Sequence, residues 1–161
     1  MPIYMKYGEI KGDVTAEGHK GADGWVEVDS FKFGIGRGIS SPTGGSADRE
    51  SSAPSVSEVI VTKPADVSSI PFVEASLFGE AVDVTIDFVK TDKGKLEVYQ
   101  SFKLENAMVS GLSVDSSGDR PRETLSLNFT RFEYGFNQMG AGGALGQTPK
   151  MAWDIGLAKP A

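Results

Sequence analysis

Few residues in this sequence have the types and spacing that catalysis requires. His19 is the only histidine, it lies among glycines, and the chain has no cysteine. One imidazole cannot complete a zinc ligand set, and no serine lies in the G-x-S-x-G turn that exposes a nucleophile. We therefore predict that His19 is an exposed turn residue and that the chain is not an enzyme.

The carboxylates and glycines likewise favour ordinary structural roles. Asp83 and Asp87 are four residues apart on one strand, about 13 Å, which exceeds the spacing of glycosidase carboxylates. The acidic and hydroxyl residues of 115–119 are typical of a turn, with a weak calcium site as the alternative. The glycines at 34, 36 and 38 lack phosphate-loop spacing and lead into a loop. We expect no metal and no cofactor.

Composition excludes several classes of protein. The chain has 161 residues and a net charge of -6, whereas general nucleic-acid binding needs a surplus of Lys and Arg. Its length suits one domain, residues 1–161, and 20 glycines suit a β-rich fold with many turns. The opening MPIYMKYGEIKG lacks the apolar run of a secretory signal, and no segment reaches membrane-spanning length. We expect no nucleic-acid partner, no membrane insertion and, if the protein is exported, no signal peptide.

Alternating apolar residues predict seven to nine strands. The clearest is the run Val82, Val84, Ile86 and Phe88, and a turn at 91–94 makes it a hairpin with the strand that follows. The alternation slips by one residue near Asp29 and again after Phe129, which predicts bulges. Strands at this spacing favour a mainly β fold, a closed or nearly closed antiparallel barrel.

One helix is predicted, over residues 66–78. Asp66 or Ser69 would cap it, with Pro71 in its first turn and Gly79 as its end. Ile70, Val73 and Leu77 share one face, which we expect to lie across a sheet.

The stretch 34–55, GIGRGISSPTGGSADRESSAPS, is an unusually long connection between two strands. Connections of more than about 12 to 15 residues without their own structure are usually binding segments or linkers. Ile39 is its only large apolar residue after Gly38, so it should not fold on itself and should be ordered by another surface. A tolerated surface insertion is the alternative.

Several separate blocks of the sequence carry a family resemblance. In order they are IYMKYGEIKGDVTAEGHKG, GRGISSPTGG, SADRESSAPSVSEVIVTK, DRPRETLSLNFT and a closing WDI. Together they resemble the haemolysin-coregulated protein (Hcp) family, the tube subunit of the bacterial type VI secretion system. Ala22 and Asp23 look inserted, and residues 135–149 match poorly, which puts local loop contacts in doubt.

The resemblance implies an antiparallel β-barrel of two sheets with one short helix, assembled into hexameric rings that stack into a tube. The tube would be enclosed by a contractile sheath, capped by the VgrG spike and expelled from the cytoplasm without a signal peptide, carrying effectors in the ring. The extended loop, about 36–55, would contact neighbouring subunits. The interface residues expected there are Arg37, Ile39, Ser40, Ser41, Pro42, Thr43, Asp48, Arg49 and Glu50.

Three further residues are assigned by hypothesis. Phe132 and Tyr134 follow the second slip and would be exposed in a lone barrel, so we expect them at a subunit interface. Lys32 lies on the polar side of its strand and is expected to face the lumen. Two other classes remain open: a small secreted ligand-binding β-barrel with an exposed aromatic cluster, and an enzyme in which His19 or a carboxylate pair converges on a cleft.

Overall fold

The computed structural model describes residues 1–40, 51–137 and 150–161. These residues form twelve strands, one α-helix and a short 3-10 turn at Gly21–Asp23. The helix α1 is Ser69–Phe78, and the strands are β1 Ile3–Tyr7, β2 Trp25–Val28, β3 Ser30–Lys32, β4 Ile35–Gly36, β5 Ser55–Val56, β6 Val59–Pro64, β7 Val82–Asp92, β8 Lys95–Asp115, β9 Arg122–Asn128, β10 Arg131–Phe136, β11 Lys150–Asp154 and β12 Lys159–Pro160.

The strands build two antiparallel sheets that share the long strand β8. The first sheet has the order β12-β11-β10-β8-β7-β1-β2, and the second has the order β3-β6-β9-β8. Within the described residues β2, β3 and β12 each pair on one side only. The mainly β fold of two antiparallel sheets with one helix is confirmed, and within the described residues the two sheets do not close fully into a barrel.

The two slips in the apolar alternation are places where the chain changes sheet. Val28 ends β2 in the first sheet and Ser30 begins β3 in the second, with the Asp29 amide donating to the Thr62 carbonyl at 2.7 Å. The slip after Phe129 separates β9 in the second sheet from β10 in the first. Changing sheets resets which residues face inward, so a corner produces the pattern that we interpreted as a bulge.

Strand β8 turns the same corner without a break. Its first half pairs with β7 and β10, and its second half, from Met108, pairs with β9. Asn106 lies between the halves with a φ of 55°, in the left-handed region that Asn tolerates better than other side chains. The tip of the β7–β8 hairpin also has positive φ, at Lys93 and Gly94, as the predicted turn requires.

Both sheets turn their apolar faces toward one shared core. It is built from alternate residues of the central strands, and burying them removes the apolar surface that drives folding. The largest fully buried apolar side chains are Phe72, Phe132, Met5, Ile86, Leu104, Leu125 and Leu127.

The helix begins later than predicted and packs on a different face. Ser68 is the N-cap residue, rather than Asp66 or Ser69; Pro71 lies in the first turn and the Gly79 amide donates to the Ala75 carbonyl, as predicted. Phe72 is buried against Tyr7, with ring centroids 5.4 Å apart. Because Phe72 lies opposite Ile70 and Leu77 on the helix, the face predicted to meet the sheet is exposed.

Candidate functional site

His19 is buried rather than exposed, so the turn interpretation is wrong about its surroundings. Only 7% of the residue is accessible, because its ring stacks on Tyr4 at 4.9 Å and meets the edge of Trp25 at 4.5 Å. Its Nε2 lies 2.9 Å from Asp87 Oδ2. Alternation placed Asp87 on the outward face of β7, but a single sequence does not show that the 8–24 segment folds over that face.

The His19 cluster lacks the order of groups that nucleophilic catalysis needs. Ser101 Oγ donates to Asp87 Oδ1 at 2.9 Å, so the aspartate lies between the serine and the histidine. In a catalytic triad the histidine lies in the middle and accepts the serine proton. The other ring nitrogen of His19, Nδ1, is buried with no hydrogen-bond partner in the described part of the chain. The cluster therefore ties the glycine-rich segment to the first sheet.

The described carboxylates do not form an acid-base pair or a metal-binding group. Asp83 is exposed while Asp87 is held by His19, so the two do not act together. In the turn after β8, Ser116 Oγ donates to the Asp119 carbonyl at 3.2 Å. No group of three potential metal ligands is present among residues 1–40, 51–137 and 150–161.

A buried ionic cluster at the start of the helix was missed from sequence. Lys63 is fully buried, and its Nζ donates to Glu123 at 2.8 Å, to Asp66 at 3.0 Å and to the Pro64 carbonyl at 2.9 Å. Burial of the Asp66 carboxyl acts to raise its pKa, but hydrogen bonds from Ser68 and Lys63 hold that pKa below the ordinary value. The burial of Lys63 could have been predicted from sequence, because Lys63 follows Val59 and Val61 at the inward-facing positions of β6.

The long insertion leaves the sandwich as a β-ribbon, which we call the arm. Strands β4 and β5 pair only with each other, and a further bridge joins Ile39 to Ser51. The Ser52 amide donates to the Gly38 carbonyl at 2.9 Å. The prediction that this stretch does not fold on itself is therefore wrong for its two flanks.

The predicted interface residues of the arm divide into two groups. Arg37, Ile39 and Ser40 are described and exposed, as an interface with another molecule requires. Ser41, Pro42, Thr43, Asp48, Arg49 and Glu50 lie outside the described residues.

Phe132 and Tyr134 do not have the exposure on which their interface assignment rested. Only 2% of Phe132 is accessible, because its ring packs on Phe33 and Phe129 at 5.1 and 6.2 Å. Tyr134 is half-buried, with its ring 4.6 Å from Phe102. The reason is the corner after Phe129, which turns Phe132 into the core of its own subunit.

Lys32 lies on the outward face of the second sheet, as its alternation predicts. Lys32 is paired with Ile60 across the sheet. Two residues earlier on the same strand, the Ser30 hydroxyl is hydrogen-bonded to the Thr62 hydroxyl at 2.6 Å. Thr124 and Ser126 continue this face on β9. The face is therefore rich in small hydroxyl side chains, with Lys32 as an exposed cation.

Two apolar surfaces outside the core are open to solvent. One, the helix patch, comprises Val67, Ile70, Leu77 and Phe78, all large exposed hydrophobic residues. The other, the apolar groove, is a pocket of about 200 Å³ lined by Ile35, Pro54, Val56, Phe132, Met151 and Trp153. Exposed apolar patches of this kind mark contact surfaces.

Among the described residues, no helix is long and apolar enough to cross a membrane.

Comparison with known proteins identifies one family. Residues 4–136 match the family model described as type VI secretion system effector, Hcp. A solved structure described as a type six secretion system protein is similar with a TM-score of 0.89 at 21% identity, covering 99% of each chain. Hcp1 from Salmonella typhimurium is similar with a TM-score of 0.78 at 19% identity, covering 99% of this chain and 98% of that one.

A type VI secretion system effector from Yersinia pestis is similar with a TM-score of 0.73 at 17% identity, covering 95% of this chain and 99% of that one. Comparison with curated protein sequences found no match.

Proposed function

This chain belongs to the Hcp family of the type VI secretion system, and from that premise we propose that it is a structural subunit of the system's inner tube. Membership makes it a type VI secretion tube or effector protein, in a family of structural, tube-forming and secreted proteins. The proposal adds that this chain forms hexameric rings, that the rings stack, and that the chain performs no catalysis. The sheath, the VgrG spike and secreted effectors are its proposed partners.

The observation that carries the proposal is the arm. Within the described residues its strands β4 and β5 pair only with each other, and Ile35 on β4 and Ile39 beyond it are exposed large apolar residues. A lone two-stranded ribbon is at best marginally stable in water. A projecting ribbon with exposed isoleucines is therefore better suited to contact another molecule than to stand alone. In a tube, that molecule is a neighbouring copy.

The His19 cluster does not favour an enzyme. Its aspartate lies between the serine and the histidine, and both His19 and Asp87 are buried. A ligand-binding module would expose a cluster of aromatic rings, but Phe31 and Phe33 instead pack against Phe102 at the core. A ligand-binding module therefore gains no support from the described residues.

Removing the arm tests the proposal. We expect the purified chain to have six times the monomer mass by size-exclusion chromatography with light scattering. Replacing residues 37–54 with a two-residue Asn-Gly turn should leave a folded monomer, because the turn then joins the paired residues Gly36 and Ser55 and leaves β4 and β5 in place.

The matched control replaces the β7–β8 hairpin tip, residues 92–95, with the same Asn-Gly turn, and this variant should still form rings. Circular dichroism would show that both variants are folded. A wild-type chain that remains monomeric at every concentration would refute the tube assignment.

A further inference from the structure

We infer that the helix patch of one subunit docks into the apolar groove of the next, and that this contact joins neighbours around the ring. The inference rests on the proposed function, and it specifies which two surfaces meet. It gives the helix patch and the apolar groove a partner on a second copy of the chain.

The helix patch has the shape of a docking surface. Ile70, Leu77 and Phe78 have 67%, 75% and 74% of their surface exposed. At 100° per residue, these three lie within about 100° of one another, on the side opposite Phe72. Because Phe72 and the half-buried Ala75 pack the other side of the helix against the core, the exposed residues form an apolar ridge.

The apolar groove is the complementary concave surface. Its floor is formed by Phe132 and Trp153, and Ile35 and Met151 line it while remaining about half exposed. Ile35 belongs to the root of the arm, so the groove lies where the arm leaves the sandwich. A ridge of Leu and Phe side chains inserted there would bury apolar surface on both partners.

The groove and the patch lie at separate places along the first sheet. One cross-strand row of the first sheet runs through Tyr7, Val84, Leu104, Phe132 and Trp153. The helix contacts this row at Tyr7, and the groove lies at its other end. Four strand spacings separate the ends by roughly 19 Å. The two surfaces of one copy are therefore separate, and a contact between a patch and a groove requires a second copy.

Two different surfaces that meet between identical chains form a head-to-tail interface, which closes into a ring when the rotation between copies permits. A symmetric dimer would instead place one surface against itself. The geometry therefore fits a ring and does not fit a two-fold pair.

Charge supports the same pairing. Glu74 lies in the middle of the helix patch by helical position, and it makes no ion pair within the described residues. Arg37, two residues beyond Ile35 at the groove, is exposed and likewise unpaired there. An acidic residue within an apolar contact needs a cation opposite it, and Arg37 supplies one.

Cross-linking tests the contact directly, since the chain has no cysteine of its own. In the double variant Leu77→Cys, Met151→Cys, a short bismaleimide should link one copy to the next and give a ladder up to the hexamer under denaturing conditions. Each single variant should stay monomeric on the gel, and a mixture of the two should stop at the dimer.

The possible results distinguish a failure of the proposed contact from a failure of the tube assignment. Intact rings by light scattering without a ladder would overturn the inference and leave the tube standing. A cross-linked dimer from either single variant would indicate a symmetric contact and also overturn it. A wild-type chain that never forms rings would remove both.

If the introduced cysteines prevent assembly, exchanging the two charges tests the same contact without them. Glu74→Arg should weaken the ring about tenfold or more in its dissociation concentration, and Arg37→Glu in the same chain should restore most of the loss. If the second change gives no restoration, the pairing of these two residues is wrong.

Discussion

The buried Lys63 cluster makes the stability of the fold depend on ionised carboxylates. Lys63 is inaccessible to solvent and donates to both Asp66 and Glu123. Removing one partner of a buried pair is costly because it leaves an uncompensated charge. The cluster therefore fastens the start of the helix, through Asp66, to the ends of β6 and β9.

The lowered pKa of Asp66 predicts a loss of stability in acid. A carboxyl whose pKa is lower in the folded than in the unfolded state contributes stability above its ordinary value of 3.8. That contribution disappears as the pH falls through the folded-state pKa. We expect the free energy of unfolding, measured by urea titration, to decrease below pH 3.8 more steeply for the wild type than for Asp66→Asn.

The matched control is Asp92→Asn, a change on the hairpin tip away from the cluster. It should keep the wild-type slope. Equal pH slopes for the wild type and Asp66→Asn would show that the cluster does not hold the ionised carboxyl.

At single residues, the sequence alone reveals type and period but not what covers a side chain. Lys63 could have been found, because it continues the inward positions of Val59 and Val61. His19 could not, since its burial depends on Tyr4, Trp25 and Asp87, which meet only after the glycine-rich segment has folded over the sheet. Phe132 is buried where exposure was expected, because alternation within β10 does not show which sheet the strand joins.

The corner strand β8 is the element on which the two-sheet arrangement depends. Asn106 holds it in the left-handed region, with its side chain exposed. A β-branched residue in that region is strained, whereas glycine is not. We expect Asn106→Val to lower the free energy of unfolding by about 1–2 kcal/mol and Asn106→Gly to leave it nearly unchanged.

Met108→Val is the control for a β-branched residue on the same strand, since Met108 is also exposed. Urea unfolding of the three variants gives the comparison. If Asn106→Val and Met108→Val cost the same, strain at the corner is not the cause.

Elements with a strong local pattern were predictable, and corners were not. The β7–β8 hairpin follows from its alternation and from a glycine at the turn, and both are present. The slips at Asp29 and after Phe129 were correctly located, but a bulge and a change of sheet leave the same trace in one sequence. The position of the helix was predicted correctly, but its buried face was not. An apolar helix face can pack against the core of its own subunit or against another molecule, and the sequence does not distinguish the two.

At the scale of the assembly, the unpaired features of the subunit lie at its edges. The arm, the helix patch and the apolar groove each present apolar side chains beyond the core. The outward face of the second sheet is different, because it carries small hydroxyl side chains and the exposed Lys32. A hydroxyl-rich face gives a passing chain little apolar surface to adhere to, which suits a channel wall better than a contact between subunits.

The position of Lys32 in the ring tests that distinction. In the Lys32→Cys variant each subunit carries one thiol, since the chain has no other cysteine. If the second sheet faces the channel, a maleimide-gold label on Cys at this position should appear inside the ring in end-on electron micrographs. Wild-type rings treated with the same reagent should carry no label, and Val114→Cys provides a second exposed site for comparison. Gold at the outer rim of Lys32→Cys rings would place the hydroxyl-rich face outside and contradict the lumen assignment.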